Sequence, residues 1–336
     1  MKNKTMKKIT AIMMAASMVF GMTACGGSGS ESTTSTGEGS GSKSGDIKIA
    51  YIVKAKTDEF WTTMEKGAYA AAEEKGVTVE FQAPEKETDV EKQVQMVENA
   101  VVKGFDAIIL SAEDSKSLVP AIVKANNANI PVILVNDTID EEALEADGGK
   151  VETYVGINQY DAAKLAGEYA AENIADGKVC YLEGISGVTA HEDRLAGFKD
   201  QVEDYEIVAS QTAKCDRNEA FNVMQNVLQK NSDVNVVWAV NAEMGQGAVQ
   251  AIQQGNYEGI QVFDFDASSD DLQAIEDGTL AGSVAQYPNL QAETAIQCCL
   301  DVINGESLDA HTETTSKLIT KDNLEEYRAE MAEFVE

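Results

Sequence analysis

The sequence 236-VVWAVNAEMGQGAVQAI-252 predicts the fold, because it joins a buried strand to a helix through a short polar loop. Its first five residues are apolar, a pattern typical of a strand that is covered on both faces of a parallel sheet. Asn241 ends this strand, and Val249 and Ile252 then follow at helical spacing. Ligands of open α/β sheets bind at the edge where parallel strands end. Asn241 is therefore a candidate ligand contact.

The same unit of apolar strand and terminal polar residue recurs three times in the chain. The carboxyl ends of parallel strands meet at the same edge of a sheet, so we expect these polar side chains to line one cleft. They are Asn136 and Asp137 after Val132–Val135, Asp266 after Gln261–Phe265, and Gln286 after Leu280–Ala285.

Strand and helix patterns alternate from Ile47 to Ile303. The first strand pattern, Ile47–Val53, is followed by a helix that Asp58 is placed to cap. Strands that alternate with helices of this length imply right-handed βαβ units and parallel sheets. An acidic, glycine-closed stretch at 140–150 interrupts the series, and a polar tail follows Ile303. Two α/β lobes with a cleft between them are the predicted architecture.

Composition excludes several classes of function. The 336 residues carry a formal net charge of −31, which disfavours binding to nucleic acid or to anionic lipid surfaces. There are two histidines and no CxxC motif, so neither a metal site nor a cofactor is indicated. Cys180, Cys298 and Cys299 lie in strand or helix patterns, and we expect them to be buried free thiols.

The N-terminus has the plan of a secretory signal. Met1–Lys8 is basic, the apolar run Ile9–Met22 is too short to span a bilayer comfortably, and small residues precede Cys25. The sequence Met-Thr-Ala-Cys at 22–25 resembles a bacterial lipobox. This resemblance implies that residues 1–24 are a signal peptide and that Cys25 carries the lipid anchor. Residues 25–46 are rich in glycine and serine and predict a flexible tether.

Four passages together resemble the type I periplasmic binding proteins, in particular the ribose- and galactose-type sugar-binding lipoproteins of ABC importers. The resemblance runs from about Ile47 to Lys321 and implies two Rossmann-like lobes with parallel sheets, joined by a three-segment hinge. The lobes would comprise residues 47–157 with 287–315, and residues 158–286 with 316–336. The passages are DEFWTTMEKG at 58–67, GVTAHEDRLAGF at 187–198, CDRNEAFNVMQNVL at 215–228, and VNAEMGQGA at 240–248 with the later VFDFDA and VAQYP.

The resemblance also assigns ligand contacts. Phe60 and Trp61 match the aromatic pair that stacks on the C–H faces of a sugar, and Arg194 matches the arginine that forks onto sugar oxygens. Carboxylates, amides and a guanidinium can satisfy hydroxyl groups that both donate and accept hydrogen bonds. The positions implied to bind ligand are Asp58, Phe60, Trp61, Asn136, Asp137, Arg194, Cys215, Asn241, Asp266 and Gln286.

This chain departs from the family pattern at several of these positions. Asp137 stands where the ribose type has an arginine, Asn136 where it has an aspartate, and Asp58 where it has an asparagine. Cys215 occupies a position that is aromatic in both the ribose and galactose types. These changes remove a cation and an aromatic wall, so the resemblance does not identify the sugar.

The charge of the predicted site leaves a second ligand class open. Asp58, Asp137 and Asp266 face only one cation, Arg194, among the matched positions. An amino sugar or another cationic solute is therefore an alternative to a neutral monosaccharide or polyol.

Two classes of function fit the sequence. One is the monomeric capture subunit of an ABC importer, lipid-anchored on the extracytoplasmic face of the bacterial cell membrane, which delivers its sugar to the permease. The other is a sensory binding protein that presents its ligand to a receptor kinase. Catalysis is disfavoured, because Cys215 and His191 are the only Cys/His pair with a claim to the cleft and no third group evidently orients them.

Single residues also have simpler interpretations. Asp58 can act only as a helix N-cap, without touching a ligand. Phe60 and Trp61 can be core residues, although two adjacent side chains on a helix cannot both point inward in the same direction. The match to the family favours the ligand-binding interpretation for all three.

We expect Cys25→Ser to release the protein from the membrane fraction without changing ligand binding, because the lipid would be attached through the cysteine sulfur. Fractionation of cells after a high-salt wash measures this directly. A serine variant that stays in the membrane fraction would contradict lipid anchoring at Cys25.

Overall fold

A computed structural model describes residues 47–56 and 58–334, so the predicted signal peptide, Cys25 and most of the tether lie outside the described residues. Five parallel strands and four helices come first along the chain and form most of one sheet with its covering layers. The strands are β1 (Lys48–Ile52), β2 (Thr78–Gln82), β3 (Ala107–Leu110), β4 (Val132–Val135) and β5 (Thr153–Gly156). The helices are α1 (Glu59–Lys75), α2 (Val90–Lys103), α3 (Val119–Asn127) and α4 (Glu141–Ala146).

A second series of five strands and five helices forms most of another sheet. Its strands are β6 (Lys178–Glu183), β7 (Glu206–Thr212), β8 (Val236–Ala239), β9 (Gln261–Phe265) and β10 (Gly282–Ala285). Its helices are α5 (Gln159–Asn173), α6 (Thr189–Lys199), α7 (Arg217–Lys230), α8 (Ala242–Gly255) and α9 (Ser269–Asp277).

The last part of the described chain contributes to both sheets. Helix α10 (Pro288–Ile303) packs on α1 and on the first sheet. Strand β11 (His311–Glu313) pairs parallel with β5, and β12 (Lys317–Ile319) pairs antiparallel with β10. Helix α11 (Leu324–Met331) follows. The chain thus passes between the sheets three times, after β5, after β10 and after β11, which is the topology of the predicted three-segment hinge.

Each sheet has six strands in a doubly wound order. The first sheet runs β11-β5-β4-β3-β1-β2, with every pair parallel. The second runs β12-β10-β9-β8-β6-β7 and is parallel except at β12. The predicted α/β architecture of two Rossmann-like lobes is confirmed. No helix among the described residues combines the length and the apolar character that a membrane crossing needs.

Three local predictions differ from the structure. The sequence pattern predicts a helix over residues 114–127, but α3 begins only at Val119, because the Asp114 carboxylate accepts hydrogen bonds from the backbone N–H groups of Lys116 and Ser117 and holds a turn there. The acidic stretch at 140–150 contains α4, which Asp140 caps. The polar tail contains β11, β12 and α11, the last of which buries Leu324, Tyr327 and Met331 along one face.

The cores follow from the apolar strands. Strand β8 is buried along its whole length, and its Trp238 ring stacks on Phe198 of α6 at 4.5 Å between ring centroids. Cys180, Cys298 and Cys299 are buried free thiols, as predicted, whereas Cys215 is half-buried. Burial of this kind on both faces of each sheet is what fixes the strand ends in space.

We expect Gly67→Ala to destabilise the protein, because α1 and α10 approach closely at this point. A β-carbon on residue 67 would lie 2.6 Å from the α-carbon of Asn289, which is backbone and cannot rotate away. Overpacking of this kind costs about 1–3 kcal/mol of unfolding free energy, measurable by urea denaturation. Glu74→Ala, an exposed position on the same helix, is the control and should change stability by less than about 0.5 kcal/mol. Equal stability of the two variants would contradict the close helix contact.

Candidate ligand-binding site

The polar ends of strands from both sheets meet around one small cavity. Eight of the ten ligand positions predicted from sequence line it: Asp58, Phe60, Trp61, Asn136, Arg194, Asn241, Asp266 and Gln286. Three further residues complete the lining, namely Lys54, Glu87 and His191.

Arg194 of α6 is held from several sides although its side chain is almost completely buried. Its Nη1 donates a hydrogen bond to the backbone oxygen of Val240 at 2.9 Å, and its Nε donates to Gln159 at 2.8 Å. The guanidinium lies over the Phe265 ring at 3.9 Å from the centroid. The nearest carboxylate partner of Arg194 is neither Glu192 nor Asp193 on its own helix.

That carboxylate is Asp266, directly after β9. Its Oδ1 lies 3.7 Å from Nη1 of Arg194 and accepts a hydrogen bond from Gln286 Nε2 at 2.6 Å. Burial raises the pKa of Asp266, and the positive charge of Arg194 and the bond from Gln286 oppose this shift. The backbone of Asp266 has a φ of 100°, which is strained for a residue with a side chain.

Asn241 presents mainly a hydrogen-bond donor to the cavity. Its side-chain oxygen accepts the backbone N–H of Met244 at 3.1 Å and so caps α8. The amide NH₂ group is then the part of this side chain that can meet a ligand oxygen. Asn241 therefore lines the cavity, as predicted from its position at a strand end, and also caps α8.

The first lobe supplies the apolar wall. The rings of Phe60 and Trp61 are perpendicular, with centroids 4.7 Å apart, at the start of α1. Trp61 also donates its indole N–H to Glu87 at 2.9 Å, which orients the ring. Asp58 occupies the N-cap position of α1, yet its side chain makes no capping hydrogen bond. The N-cap role alone does not account for its place in the cavity wall.

The sequence prediction missed Lys54, which follows β1 by two residues. Its side chain is 2% exposed, and its Nζ lies 3.2 Å from Asp137 and 3.7 Å from Glu87. Burial would lower the pKa of Lys54, but Asp137 and then Glu87 outweigh burial and raise it. Its position just after a strand could have identified it, because the same criterion identified Asn241 and Asp266.

Asp137 lies behind the cavity wall and does not line the cavity. Besides the contact to Lys54, it accepts hydrogen bonds from the hydroxyl of Ser111 at 2.7 Å and from the side chain of Asn136 at 3.0 Å. The prediction counted Arg194 as the only cation facing the acidic residues. The structure corrects that count, because Lys54 is a second cation beside these carboxylates. It comes from the loop after β1, whereas the family pattern places an arginine after β4.

Cys215 lies at the edge of the site, in a wider outer cleft of about 480 Å³ that shares Asp58 and Glu87 with the inner cavity. Its Sγ is 3.6 Å from Nε2 of His191. Burial and the negative charge of Glu87 raise the pKa of the Cys215 thiol, so it is neither a strong nucleophile nor a ready metal ligand.

Glu87, His191 and Cys215 are the one group within the described ranges whose ligating atoms, all within 4.8 Å of one another, could hold a metal ion. Nδ1 of His191 accepts the backbone N–H of Ile185 at 3.1 Å, which places the imidazole proton on Nε2, the nitrogen nearer Cys215. A metal at Nε2 would require the opposite tautomer, with Nδ1–H facing the N–H of Ile185. The ammonium of Lys54 beside Glu87 would also repel a cation, so these residues do not fit a metal.

Two α/β lobes that enclose a polar and aromatic cavity between their strand ends define a solute-binding protein. The chain belongs to the periplasmic binding protein family, whose domain matches residues 49–307. It is 31% identical to the ribose import binding protein RbsB of Bacillus subtilis, across 94% of this chain and all of that protein.

Solved structures of solute-binding proteins agree with the assignment. A periplasmic solute-binding protein of an ABC transporter from Actinobacillus succinogenes, with bound D-allose, superposes with a TM-score of 0.80 at 32% identity and covers 84% of this chain and 100% of that chain. A Bacillus halodurans solute-binding protein with bound myo-inositol has a TM-score of 0.77 at 29% identity, covering 85% of this chain and 98% of that chain.

One further carboxyl group, that of Glu113, is buried in the first lobe beyond β3. Neither of its oxygens has a hydrogen-bond partner, and the side chain is 1% exposed. Burial and the nearby charge of Glu87 raise the pKa of Glu113 to about 8. The folded protein therefore holds this proton at neutral pH, whereas the unfolded chain, with a value near 4.5, has lost it.

We expect Glu113→Gln to reduce the loss of stability that accompanies rising pH. Because the folded pKa lies above the unfolded one, stability from Glu113 is fully present below the unfolded value and falls by up to about 1.4 kcal/mol per pH unit towards the folded value. Glutamine carries no proton to lose, so the variant should become more stable than the wild type as the pH rises from 5 to 8. Urea denaturation at several pH values measures the difference. Parallel curves of stability against pH for the two proteins would show that folding does not raise the pKa of Glu113.

Proposed function

We propose that this protein is an extracytoplasmic solute-binding lipoprotein that captures a monosaccharide or related polyol and delivers it to an ABC importer. The observation that carries the proposal is the composition of the cavity. An aromatic pair from one lobe faces a buried arginine, two strand-end amides and one strand-end carboxylate from the other. An aromatic face suits sugar C–H groups, and the polar set suits hydroxyls.

The relatives support the sugar class. RbsB is a ribose import binding protein, and the two superposed structures hold D-allose and myo-inositol. These ligands share a ring of adjacent hydroxyl groups. The cavity offers both donors, such as Arg194 and Asn241, and acceptors, such as Asp266, for hydroxyls of that kind.

Closure of the lobes over the ligand is part of the proposal, with lobe bounds of 47–157 with 287–315 and 158–286 with 316–336. Hydrogen bonds between the lobes support it. The Glu59 carboxylate accepts the backbone N–H and the hydroxyl of Ser269, each at 3.0 Å, and the hydroxyls of Thr138 and Thr189 are 2.6 Å apart. A ligand contacted from both sides would favour this closed arrangement.

The remaining features of the proposal concern the setting of the protein. We propose that it acts as a monomer without enzymatic activity, anchored through Cys25 to the outer face of the cell membrane, with the permease subunits as its partner. The basic and apolar N-terminal segment supports the anchor. The named relatives are binding proteins for import or solute binding, which supports a role without catalysis.

The charge of the site favours an amino sugar as a second candidate ligand. Four carboxylates lie in or directly behind the cavity wall, and only two cations accompany them among the described residues. A ligand ammonium would reduce this excess of negative charge. The carboxylates are Asp58, Glu87, Asp137 and Asp266, and the cations are Lys54 and Arg194.

A thermal-shift screen of the mature protein tests the ligand class. The panel contains D-ribose, D-allose, D-fucose, myo-inositol and D-glucosamine. A sugar present at 100 times its Kd should add about 2.7 kcal/mol of stability. A neutral sugar as the best ligand supports the main proposal, and D-glucosamine as the best ligand supports the second candidate. The absence of any shift across the panel would overturn both.

We expect Asp266→Ala to weaken binding of the best panel sugar by about 2–5 kcal/mol, because it removes the carboxylate beside Arg194 and leaves the sugar hydroxyls without this acceptor in a closed cleft. Trp61→Ala should cost less, about 1–3 kcal/mol, and should weaken all accepted sugars alike, because stacking is not specific for one hydroxyl pattern. Titration calorimetry measures both. Asp277→Ala, an exposed change at the end of α9, serves as the control. A folded Asp266→Ala protein with wild-type affinity would place the ligand elsewhere.

A further inference from the structure

Gln159 is buried at the point where the chain first enters the second lobe. It is the first residue of α5 and follows the crossing segment after β5. The sequence analysis assigned it no role, and it lies outside the cavity lining. Its side chain nevertheless contacts one proposed ligand residue from each lobe.

The two ends of the Gln159 carboxamide have different partners. Its Oε1 accepts the Nε–H of Arg194 at 2.8 Å, and its Nε2 donates to the backbone oxygen of Asn136 at 3.0 Å. Nε2 also lies 3.3 Å from the side-chain oxygen of Asn136. Arginine can only donate and a carbonyl oxygen can only accept, so the orientation of the amide is fixed by the chemistry of its neighbours.

This arrangement selects glutamine among the side chains. Glutamate would still accept from Arg194, but its second oxygen would face the Asn136 carbonyl oxygen without a proton between them. Asparagine is one methylene shorter and cannot keep both contacts at the present backbone positions. Position 159 therefore needs an acceptor and a donor at the ends of a long side chain.

Arg194 depends on this contact for its orientation. Its Nε is bonded to Gln159 and its Nη1 to Val240, which leaves Nη2 with no protein hydrogen bond in the described part of the chain. A planar guanidinium fixed at two of its nitrogens presents the third in a defined direction. Gln159 and the backbone at the end of β8 thus set the orientation of the guanidinium plane that Arg194 presents to a ligand.

We infer that Gln159 is a positioning residue that couples the two lobes of the site. It orients Arg194 in the second lobe and, through the same amide, ties that orientation to Asn136 in the first. The ligand contacts of the two lobes are then presented as one unit. This inference rests on the proposed sugar-binding function for its consequence in affinity, although not for the contact itself.

The test compares Gln159→Ala with Asn158→Ala, the neighbouring N-cap. Asn158 caps α5 by accepting the N–H of Asp161, so its loss weakens the same helix start without touching Arg194. D-allose and D-ribose are the probes. We expect Gln159→Ala to lower the affinity for the sugar that binds by at least about tenfold, since a hydrogen bond to a charged group is lost. Asn158→Ala should lower the melting temperature but leave affinity within about twofold.

A second readout does not need a sugar. In ligand-free protein labelled with ¹⁵N-arginine, the Nε–H of Arg194 should exchange slowly with water in the wild type and in Asn158→Ala, and rapidly in Gln159→Ala. Gln159→Glu preserves side-chain size if the alanine variant does not fold. It should keep the Arg194 Nε–H protected while lowering sugar affinity, because only the contact to Asn136 is disrupted.

The outcomes separate the two claims. If the wild type binds neither D-allose nor D-ribose, the exchange measurement alone decides the role of Gln159, and the full sugar panel decides the proposed function. Equal protection of the Arg194 Nε–H in the wild type and Gln159→Ala would overturn the positioning role. Sugar affinity in Gln159→Ala within about twofold of the wild type would overturn it as well, since a merely structural role predicts that result.

Discussion

The site depends on one constraint, which is that a buried guanidinium must have its donors and its charge satisfied. Arg194 meets this constraint with an amide oxygen, a backbone oxygen at the end of β8, the face of Phe265 and the carboxylate of Asp266. These partners come from three places in the second lobe, namely the start of α5, the end of β8 and the end of β9. Removing any partner of a buried charge lowers the stability of the folded protein. The charge of Arg194 therefore helps to keep the strand ends around it in place.

Buried glutamines hold the remaining strand ends together. Gln93 of α2 donates to the backbone oxygens of Val53 and Ser111 and accepts the N–H of Glu113, which joins the ends of β1 and β3. Gln291 of α10 donates to the backbone oxygen of Gln286 after β10. Together with Gln159, these side chains satisfy backbone groups that buried loops would otherwise leave unpaired. A primary amide suits this role because it both donates and accepts without carrying charge.

The sequence was sufficient to predict the alternating fold and much of the cavity wall. Asn136, Asn241, Asp266 and Gln286 were predictable because strand period and strand ends are local properties, and parallel strands bring their ends to one edge. Phe60, Trp61 and Arg194 needed the family resemblance.

Other parts depend on contacts between distant segments. Glu87 lies on a loop and contacts Trp61 and Lys54, which are distant in sequence. The role of Gln159 depends on its contact with Asn136 of the other lobe, which the sequence does not indicate. The short strands β11 and β12 were missed because three residues carry little periodic signal, and their partners were already complete strands in the prediction. The ligand contacts at the cavity residues stay predictions.

The order of the elements along the chain has a consequence for how the protein reaches its native state. Helix α10, which covers the first sheet, and β11, which completes it, both come after the whole strand series of the second sheet. The first five strands therefore cannot bury one of their apolar faces until nearly all of the chain is available. Pairing of such distant segments slows folding and exposes apolar surface in partly folded chains. Folding of the first lobe should thus finish late, and a chain that stops before α10 should be prone to aggregation.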